Sequence, residues 1–223
     1  MRPPSGGLRL LPGAEALRTF VYVDGSNLYY GIRKTPYKWL DVRKFCQLTL
    51  PHNEIACIKY YTARVTYNPD NPQQQKRQKA YWRALRTIPE MSIHRGHFLS
   101  HVCRLPLASA QPGKPSHVDV IRTEEKGSDV NLATHLLWDA FRDRYDVAVI
   151  VSNDSDLLEP IKLVRSELGK IVGIINPHTD SPSVDLRANS DFFRTISRRI
   201  LRESQFPISI VDSNGTFGKP VTW

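Results

Sequence analysis

Short apolar runs alternate with amphipathic stretches along most of the chain. The first run, TFVYVD, is rich in β-branched and aromatic residues, ends at Asp24 and is followed by the turn signal Gly-Ser-Asn. Comparable runs occur in EIACIKYYTARV, VAVIVS and KIVGIINP. Their length and composition predict buried β-strands.

The segments between these runs have helical spacing. Two apolar stripes recur at intervals of three or four residues, one with Val130, Ala133, Leu137 and Ala140 and one with Leu157, Ile161, Val164 and Leu168. Helices are also predicted in LYYGIRK, KWLDVRKFCQLTL and QQQKRQKAYWRALRTI. The chain is expected to be extended from Met91, LPLASAQPGKPSHVD to be an exposed loop, and FFRTISRRILRESQFP to finish the sheet and end in a short helix.

Strands separated by helical crossovers predict a parallel sheet that is covered on both faces. The expected fold class is therefore α/β, a three-layer α/β/α sandwich with a mainly parallel central sheet. We expect residues 1–18 to be a flexible leader, 19–206 to be one domain and 207–223 to be a mobile tail. In such sheets ligands bind beyond the carboxyl ends of the strands, where the strand order reverses.

The composition bears on partners. A formal charge of +9 and a pI near 9.6 favour a polyanion such as RNA, although a generic basic protein has the same balance. Cys46, Cys57 and Cys103 form neither a disulfide framework nor a CxxC pair, which fits a reducing cytoplasm. No apolar run approaches the roughly 20 residues of a membrane-spanning helix, so no membrane partner is expected.

Four carboxylates fall where the predicted strands end or the predicted helices begin. Asp24 ends one strand, and Asp154 and Asp156 follow another in VIVSNDSDL. Asp129 begins the helix that precedes this second strand, on the same edge of the sheet. Each of these aspartates is also an ordinary turn or helix-capping residue, but four independent caps explain the shared edge poorly.

A carboxylate cluster implies a cation. Carboxylates within a few ångströms of one another repel and raise each other's pKa, unless a divalent ion supplies the opposing charge. Oxygen ligands favour Mg²⁺ or Mn²⁺ over zinc. Asn27, Ser152 and Asn153 are placed to orient the ligands or a bound water.

The segments FVYVDGSNLYYGI, EKGSDVNLATHLLWDA and YDVAVIVSNDSDLLEPIKLVRSELGKIVGII resemble the NYN domains, in particular the LabA-like branch of the PIN-like nucleases. The resemblance extends from about residue 19 to 197. It implies a PIN-like fold and, in active members, a metal-dependent ribonuclease. Matched by position, its acidic residues are Asp24 with its companion Asn27, Asp129, and the pair Asp154 and Asp156.

The chain departs from the family pattern at two places. Asn153 and Ser155 replace the more usual glycines, a change that a turn tolerates. His135 stands where many relatives carry a further Asp, which bears on the number of metals bound and on activity. The alternative for His135 is a helix-surface histidine, because a residue six positions after Asp129 lies well off that residue's helix face.

Two basic segments are candidates for binding RNA, one with Lys76, Arg77, Lys79 and Arg83 and one with Arg198 and Arg199. The ordinary alternative is a solvated helix face. Stacking of unpaired bases is a further possibility for Tyr29, Tyr37, Trp39 and Tyr67, although such aromatics more often belong to a core.

Three hypotheses follow. The first is a cytoplasmic, Mg²⁺- or Mn²⁺-dependent ribonuclease, in which Asp24, Asp129, Asp154 and Asp156 hold the metal. The second is a non-catalytic NYN-like module that binds RNA or protein, and the third is a small-molecule phosphohydrolase, for which the positive charge is unneeded. The sequence leaves open whether the protein forms a homo-oligomer or has a regulatory protein partner.

Overall fold

A computed structural model describes residues 17–66, 69–109, 113, 115–221 and 223. Its strands are β1 (Arg18–Asp24), β2 (Glu54–Ala63), β3 (Met91–Pro106), β4 (His117–Lys126), β5 (Val147–Val151), β6 (Ile171–Asn176), β7 (Phe192–Thr195), β8 (Ser209–Asp212) and β9 (Gly215–Gly218). Its helices are α1 (Gly25–Ile32), α2 (Val42–Thr49), α3 (Gln74–Leu85), α4 (Ser128–Phe141), α5 (Leu158–Ser166), α6 (Val184–Ala188) and α7 (Arg198–Glu203). Within the described ranges, no helix has the length and apolar character needed to cross a bilayer.

The central sheet has seven strands in the order β4-β3-β2-β1-β5-β6-β7. Neighbouring strands are parallel except for β3 and β4, which pair antiparallel. The chain moves outward in one direction from β1 to β4 and then returns beside β1 with β5. The strand order therefore reverses between β1 and β5, and this junction is where a ligand site is expected.

Two apolar cores cover the faces of the sheet. Alternation along β1 sends Val21 and Val23 into the core that α1, α2, α3 and α7 cover, and sends Tyr22 into the core that α4, α5 and α6 cover. Both cores contain fully buried side chains, including Trp39 in the first and Leu132 in the second. The prediction of a three-layer α/β/α sandwich with a mainly parallel sheet is confirmed.

The predicted loop between β3 and the next helix is shorter than expected. Leu105 and Pro106 still belong to β3, and β4 begins at His117, so the two strands form a long hairpin with a register from His97 opposite Lys126 to Pro106 opposite His117. The sequence signal was weak because neither strand contains a buried residue, so no apolar alternation marks them. The charged side chains of β4 also suit an outer strand of a sheet.

The C-terminal segment forms a second hairpin instead of the expected tail. Strands β8 and β9 pair antiparallel, and Arg83 of α3 donates to both carboxylate oxygens of Asp212, at 2.7 and 2.6 Å. The Arg83 guanidinium also lies 4.1 Å from the ring centroid of Phe217. The sequence does not reveal this docking because the partner of Asp212 lies on a distant helix. Trp223 also packs back on the domain, with its ring 5.8 Å from that of Trp39.

Gly25 is required by close packing at the start of α1. A Cβ at this position would lie 2.6 Å from Tyr60 Cε1 and 2.6 Å from the carbonyl oxygen of Tyr61. Since the second atom belongs to the backbone of β2, the contact cannot be relieved by a side-chain rotation alone.

We expect Gly25→Ala to lower the free energy of unfolding by about 1–3 kcal/mol, the usual cost of overpacking. A decrease in stability would be evidence for the close packing, because Gly→Ala inside a helix otherwise stabilises a protein by roughly 0.5–1 kcal/mol. Urea denaturation of both proteins measures the difference. An unchanged or higher stability would show that α1 and β2 do not pack as described.

Candidate metal centre

Three carboxylates meet at the junction of β1 and β5. Asp24 ends β1, Asp154 follows β5, and Asp129 lies in the first turn of α4. One carboxylate oxygen from each residue lies within 4.8 Å of the other two. Because β1 and β5 are neighbours and parallel, their carboxyl ends necessarily bring Asp24 and Asp154 together.

Asp24 is the most buried of the three, with 5% of its surface exposed. Its Oδ1 accepts a hydrogen bond from the backbone N–H of Asn27 at 2.9 Å, and its Oδ2 accepts one from Ser152 Oγ at 3.0 Å. Burial raises the pKa of Asp24 from 3.8 to about 6, the neighbouring charges of Asp129 and Asp154 add to the rise, and the two hydrogen bonds oppose it. The site therefore disfavours the charged form of Asp24 unless a cation is present.

Asp129 is oriented by the turn from β4 into α4. Gly127 at this turn has φ +91°, in the left-handed region that favours glycine, and the helix begins directly after it. Burial raises the pKa of Asp129, and the charges of Asp154, Glu125 and Asp156 raise it further. Burial and mutual repulsion therefore raise the pKa of at least two members of the cluster, Asp24 and Asp129.

Asp154 and Asp156 play different structural parts. Asp154 precedes a 3₁₀ turn, Ser155–Leu157, and its Oδ1 accepts a hydrogen bond from the backbone N–H of Asp156 at 3.0 Å. Asp156 itself is exposed, and among the described residues its carboxylate is not part of the group of three. It adds negative charge near Asp129. Its role as a fourth ligand stays a prediction.

Ser152, Asn27 and Asn153 connect the carboxylates to the surrounding loops. Ser152 Oγ donates to Asp24 and accepts from the backbone N–H of Asp154 at 3.1 Å, so it links two members of the cluster. Asn27 Oδ1 accepts from the backbone N–H of Asn153 at 3.0 Å. The Asn153 side chain turns away from the carboxylates. It donates to the carbonyl of Ser181 and accepts from the N–H of Ser183, which fastens the loop after β6.

Two residues that sequence reasoning missed lie beside the cluster. Glu125, at the end of β4, accepts hydrogen bonds from Ser26 Oγ and Ser128 Oγ, and its charge raises the pKa of Asp129. His178 Nε2 lies 3.1 Å from Asn27 Oδ1. His178 follows the carboxyl end of β6, so its place at this edge of the sheet could have been predicted from chain direction, as it was for Asp154. Glu125 could not be predicted from the sequence, because the strand that carries it, β4, was not predicted.

His135 lies apart from the three carboxylates. Its Nδ1 is 2.9 Å from the hydroxyl of Tyr61, and its ring meets the ring of His94 edge to face at 4.5 Å. Burial lowers the pKa of His135 and, with the charges of His135 and Lys59, lowers the pKa of His94 to about 4. His135 therefore packs between α4 and strands β2 and β3, as its offset from Asp129 on the helix predicts.

The basic residues of α3 divide into three environments. Lys76 and Lys79 are exposed. Arg77 is half-buried and donates to Asn71 Oδ1 at 2.6 Å. It also lines a pocket together with Gly25, the residue after Asp24. Arg83, which was predicted to bind RNA, is instead held by Asp212 of the C-terminal hairpin. This ion pair uses Nε and Nη2 of Arg83, and its role in binding RNA stays a prediction.

The basic residues of α7 are exposed at the start of that helix. The Arg198 guanidinium lies 5.9 Å from the ring centroid of Tyr37, and Arg199 pairs with Glu203 at 3.1 Å along the helix surface. Pairs of this exposed type are weak and do not prevent a guanidinium from binding phosphate. Both arginines remain candidates for contacts with RNA.

The predicted stacking aromatics also differ from one another. Trp39 is 1% exposed and belongs to the core, so it is not a surface for stacking bases. Tyr37 is half-buried, and Tyr29 is 44% exposed near the start of α1. Tyr67 lies outside the described residues. Tyr29 is thus the best placed of those described.

The donor set fits a hard divalent cation. The three residues offer carboxylate oxygens only, whereas thiolate or imidazole ligands would favour zinc or copper. The spacing allows a single ion to contact all three. A dication would also offset the burial and mutual repulsion that raise the pKa values of Asp24 and Asp129.

Comparison with known proteins identifies the family of this chain. The family model of the NYN domain matches residues 18–197. The chain belongs to the NYN domain family. A protein of unknown function from Vibrio parahaemolyticus has a crystal structure with a TM-score of 0.53 to this NYN protein, over 82% of this chain and 94% of that chain. At 17% identity this likeness concerns the fold.

A curated relative carries a different activity in its name. The 6-hydroxy-3-succinoylpyridine 3-monooxygenase of Pseudomonas putida is 29% identical over 209 residues. The match covers 81% of this NYN protein and 65% of the relative, so the chain spans less than two thirds of the relative's length.

We expect the metal-free protein to lose stability as the pH rises from about 4 to about 6. The pKa of Asp24 in the folded protein is about 6, above the ordinary 3.8, so the folded state holds a proton that the unfolded state releases in this window. The loss reaches roughly 3 kcal/mol at higher pH.

The Asp24→Asn variant should remove most of this loss, and thermal unfolding in chelator at pH 4.5 and pH 7.5 measures it. The matched control is Asp119→Asn, at an exposed position of β4. If wild type and Asp24→Asn change equally between the two pH values, the carboxylate of Asp24 is not destabilised by its site.

Proposed function

We propose that this NYN protein is a metal-dependent ribonuclease that hydrolyses phosphodiester bonds of RNA at the cluster of Asp24, Asp129 and Asp154. The observation that carries the proposal is the approach of three carboxylate oxygens within 4.8 Å at the point where the strand order reverses. Membership of the NYN family supports a nuclease, and the net charge of +9 supports a polyanionic substrate.

The cofactor of the proposal is Mg²⁺ or Mn²⁺. When bound, such an ion lowers the pKa of a water molecule and neutralises charge on the phosphodiester. Asp24, Asp129 and Asp154 would hold it, with Asp156 as the candidate for a further or water-mediated contact. Ser152 keeps the carboxylates of Asp24 and Asp154 in place through its two hydrogen bonds.

Asn27 and His178 form the side of the site toward the loop after β6. Asn27 Oδ1 accepts the N–H of Asn153, which fixes the chain between β5 and the 3₁₀ turn. The position of His178 Nε2 beside Asn27 places a ring nitrogen at the same edge of the sheet. We assign Asn27, Ser152 and Asn153 to positioning, since their observed contacts are with protein groups.

RNA would be held by cations on the helices around this edge. Lys76, Arg77 and Lys79 lie on α3, and Arg198 and Arg199 begin α7 directly after the carboxyl end of β7. Such residues fix the backbone of the nucleic acid through phosphates and carry no sequence information themselves. Arg83 is a weaker candidate than these residues, because it pairs with Asp212 of the C-terminal hairpin.

The alternative is an NYN module that binds RNA or protein without cleaving it. His135 was the sequence feature that favoured this alternative, and it packs on Tyr61 and His94 outside the group of three carboxylates. The substitution at this position therefore leaves Asp24, Asp129 and Asp154 intact.

A measurement of oxygen uptake with 6-hydroxy-3-succinoylpyridine separates the proposed ribonuclease from the activity named for the relative.

We expect purified protein to cleave a mixed-sequence labelled RNA with Mg²⁺ or Mn²⁺ and to be inactive in chelator. Asp24→Asn and Asp154→Asn should each lose at least about 100-fold in rate, since even outer partners of a metal cost 10–100-fold. The matched control Asp119→Asn should retain wild-type cleavage. Cleavage that persists in chelator or in Asp154→Asn would contradict the assignment.

We expect RNA affinity to fall steeply with salt, and the slope to depend on α3. In single strands each phosphate contact adds about 0.7 to the slope of log K against log salt. The double variant Lys76→Ala/Lys79→Ala should reduce the slope by up to about 1.4 on this basis. Lys162→Ala, an exposed lysine on the opposite face of the sheet, is the control. Equal slopes for all three proteins would exclude α3 as a phosphate-binding surface.

A further inference from the structure

A pocket opens directly beside the three carboxylates. It lies between α1, α3, the end of β2 and the β3–β4 hairpin, and it has a volume of about 150 Å³. A cavity of about 150 Å³ takes one benzene-sized ring, whereas sites for drug-sized ligands are roughly 300–1,000 Å³. The size therefore favours a ligand group with a single ring.

Aromatic side chains line the pocket on several sides. Tyr81 and Trp82 of α3 are 8% and 5% exposed, and the half-buried Phe98 lines the pocket from β3. Tyr29, near the start of α1, also lines it and is 44% exposed. A flat ring entering this space would contact π-faces and edges on several sides, which is the usual way that proteins bind an unstacked base.

Two residues of β2 supply hydroxyl groups to the pocket. Tyr60 and Thr62 lie on the same face of β2, are 4% and 6% exposed, and both line the pocket. Neither hydroxyl forms a hydrogen bond to another residue in the described part of the chain. Neither hydroxyl is among the described atoms that are both buried and unpaired, so both reach the open space of the pocket and are available to donors and acceptors on the edge of a ligand.

The pocket and the carboxylate cluster share a wall. Gly25 and Ser26, which directly follow Asp24, line the pocket, and Ser26 donates to Glu125 at 2.8 Å, which lines it as well. Burial raises the pKa of Tyr60, and the charges of Asp24 and Glu125 raise it further, as expected if its phenol lies near both. A ring in the pocket is thus held next to the atoms that would bind the scissile phosphate.

Two cationic side chains belong to the lining of the pocket. Lys38 and Arg77 both line it and are half-buried. Their positive charge complements a phosphate attached to the ring through a sugar. A neutral free heterocycle would gain nothing from these two side chains.

We propose that this pocket binds one pyrimidine base of the RNA substrate, next to the scissile phosphate, and so gives the enzyme a preference for pyrimidines over purines. The inference rests on the proposed ribonuclease function. The aromatic side chains stack the ring, Tyr60 and Thr62 bond to its polar edge, and a volume of about 150 Å³ is too small for the second ring of a purine.

The first test measures binding without cleavage. Uridine 5′-monophosphate and adenosine 5′-monophosphate are titrated into the full chain by calorimetry. We expect tighter binding of the uridine nucleotide, and a loss of about tenfold in Tyr60→Phe/Thr62→Val, which removes two hydroxyls with little change in shape. Thr216→Val, at an exposed position of β9, is the matched control.

The second test measures cleavage of oligouridylate and oligoadenylate. We expect Phe98→Ala to open the pocket and to narrow the preference for oligouridylate at least severalfold, while Phe141→Ala, at an exposed position on the other face of the sheet, leaves it unchanged. Melting curves of each variant establish that it is folded.

The two proposals fail separately. Equal binding of the two nucleotides, or binding that Tyr60→Phe/Thr62→Val does not change, overturns the pyrimidine pocket even if RNA is cleaved. An absence of cleavage in any metal overturns the ribonuclease, whereas a hydroxyl-dependent preference for the uridine nucleotide still supports a base-binding pocket.

Discussion

The mutual repulsion of buried carboxylates is the constraint on which this site depends. Asp24, Asp129 and Asp154 come from three separate elements. Burial, together with the charges of Asp129 and Asp154, raises the pKa of Asp24 to about 6 despite its two hydrogen bonds. A fold gains no stability from such a group by itself. Its presence makes sense if a cation supplies the missing charge, and the oxygen-only ligand set selects a hard one.

The topology of the sheet determines where these carboxylates lie. The reversal of strand order between β1 and β5 sets Asp24 and Asp154 side by side, and Gly127 turns the chain so that α4 begins at the same edge. Ser152 then ties two of the carboxylates together. The same edge carries the pocket and the first turns of basic helices, which is where we propose that the RNA binds.

The sequence predicted most of the sheet and the cluster because both depend on strong local signals. Apolar runs such as VAVIVS mark strands that are buried on both faces, and an aspartate at a strand exit has a position that follows from chain direction alone. The β3–β4 hairpin lacks buried residues, so Glu125 at its end was missed. The docking of Asp212 on Arg83 joins residues far apart in sequence, and only the folded chain brings them together.

The most direct test of the account is calorimetric titration of Mn²⁺ into the wild type and Asp24→Asn proteins at pH 7.5 and pH 5. Saturable binding is predicted for the wild type at pH 7.5. Binding should weaken at pH 5, because protons then compete for Asp24 and Asp129, and should be lost in Asp24→Asn. Equal binding by both proteins, or no binding by either, would contradict the claim that these carboxylates form a metal centre.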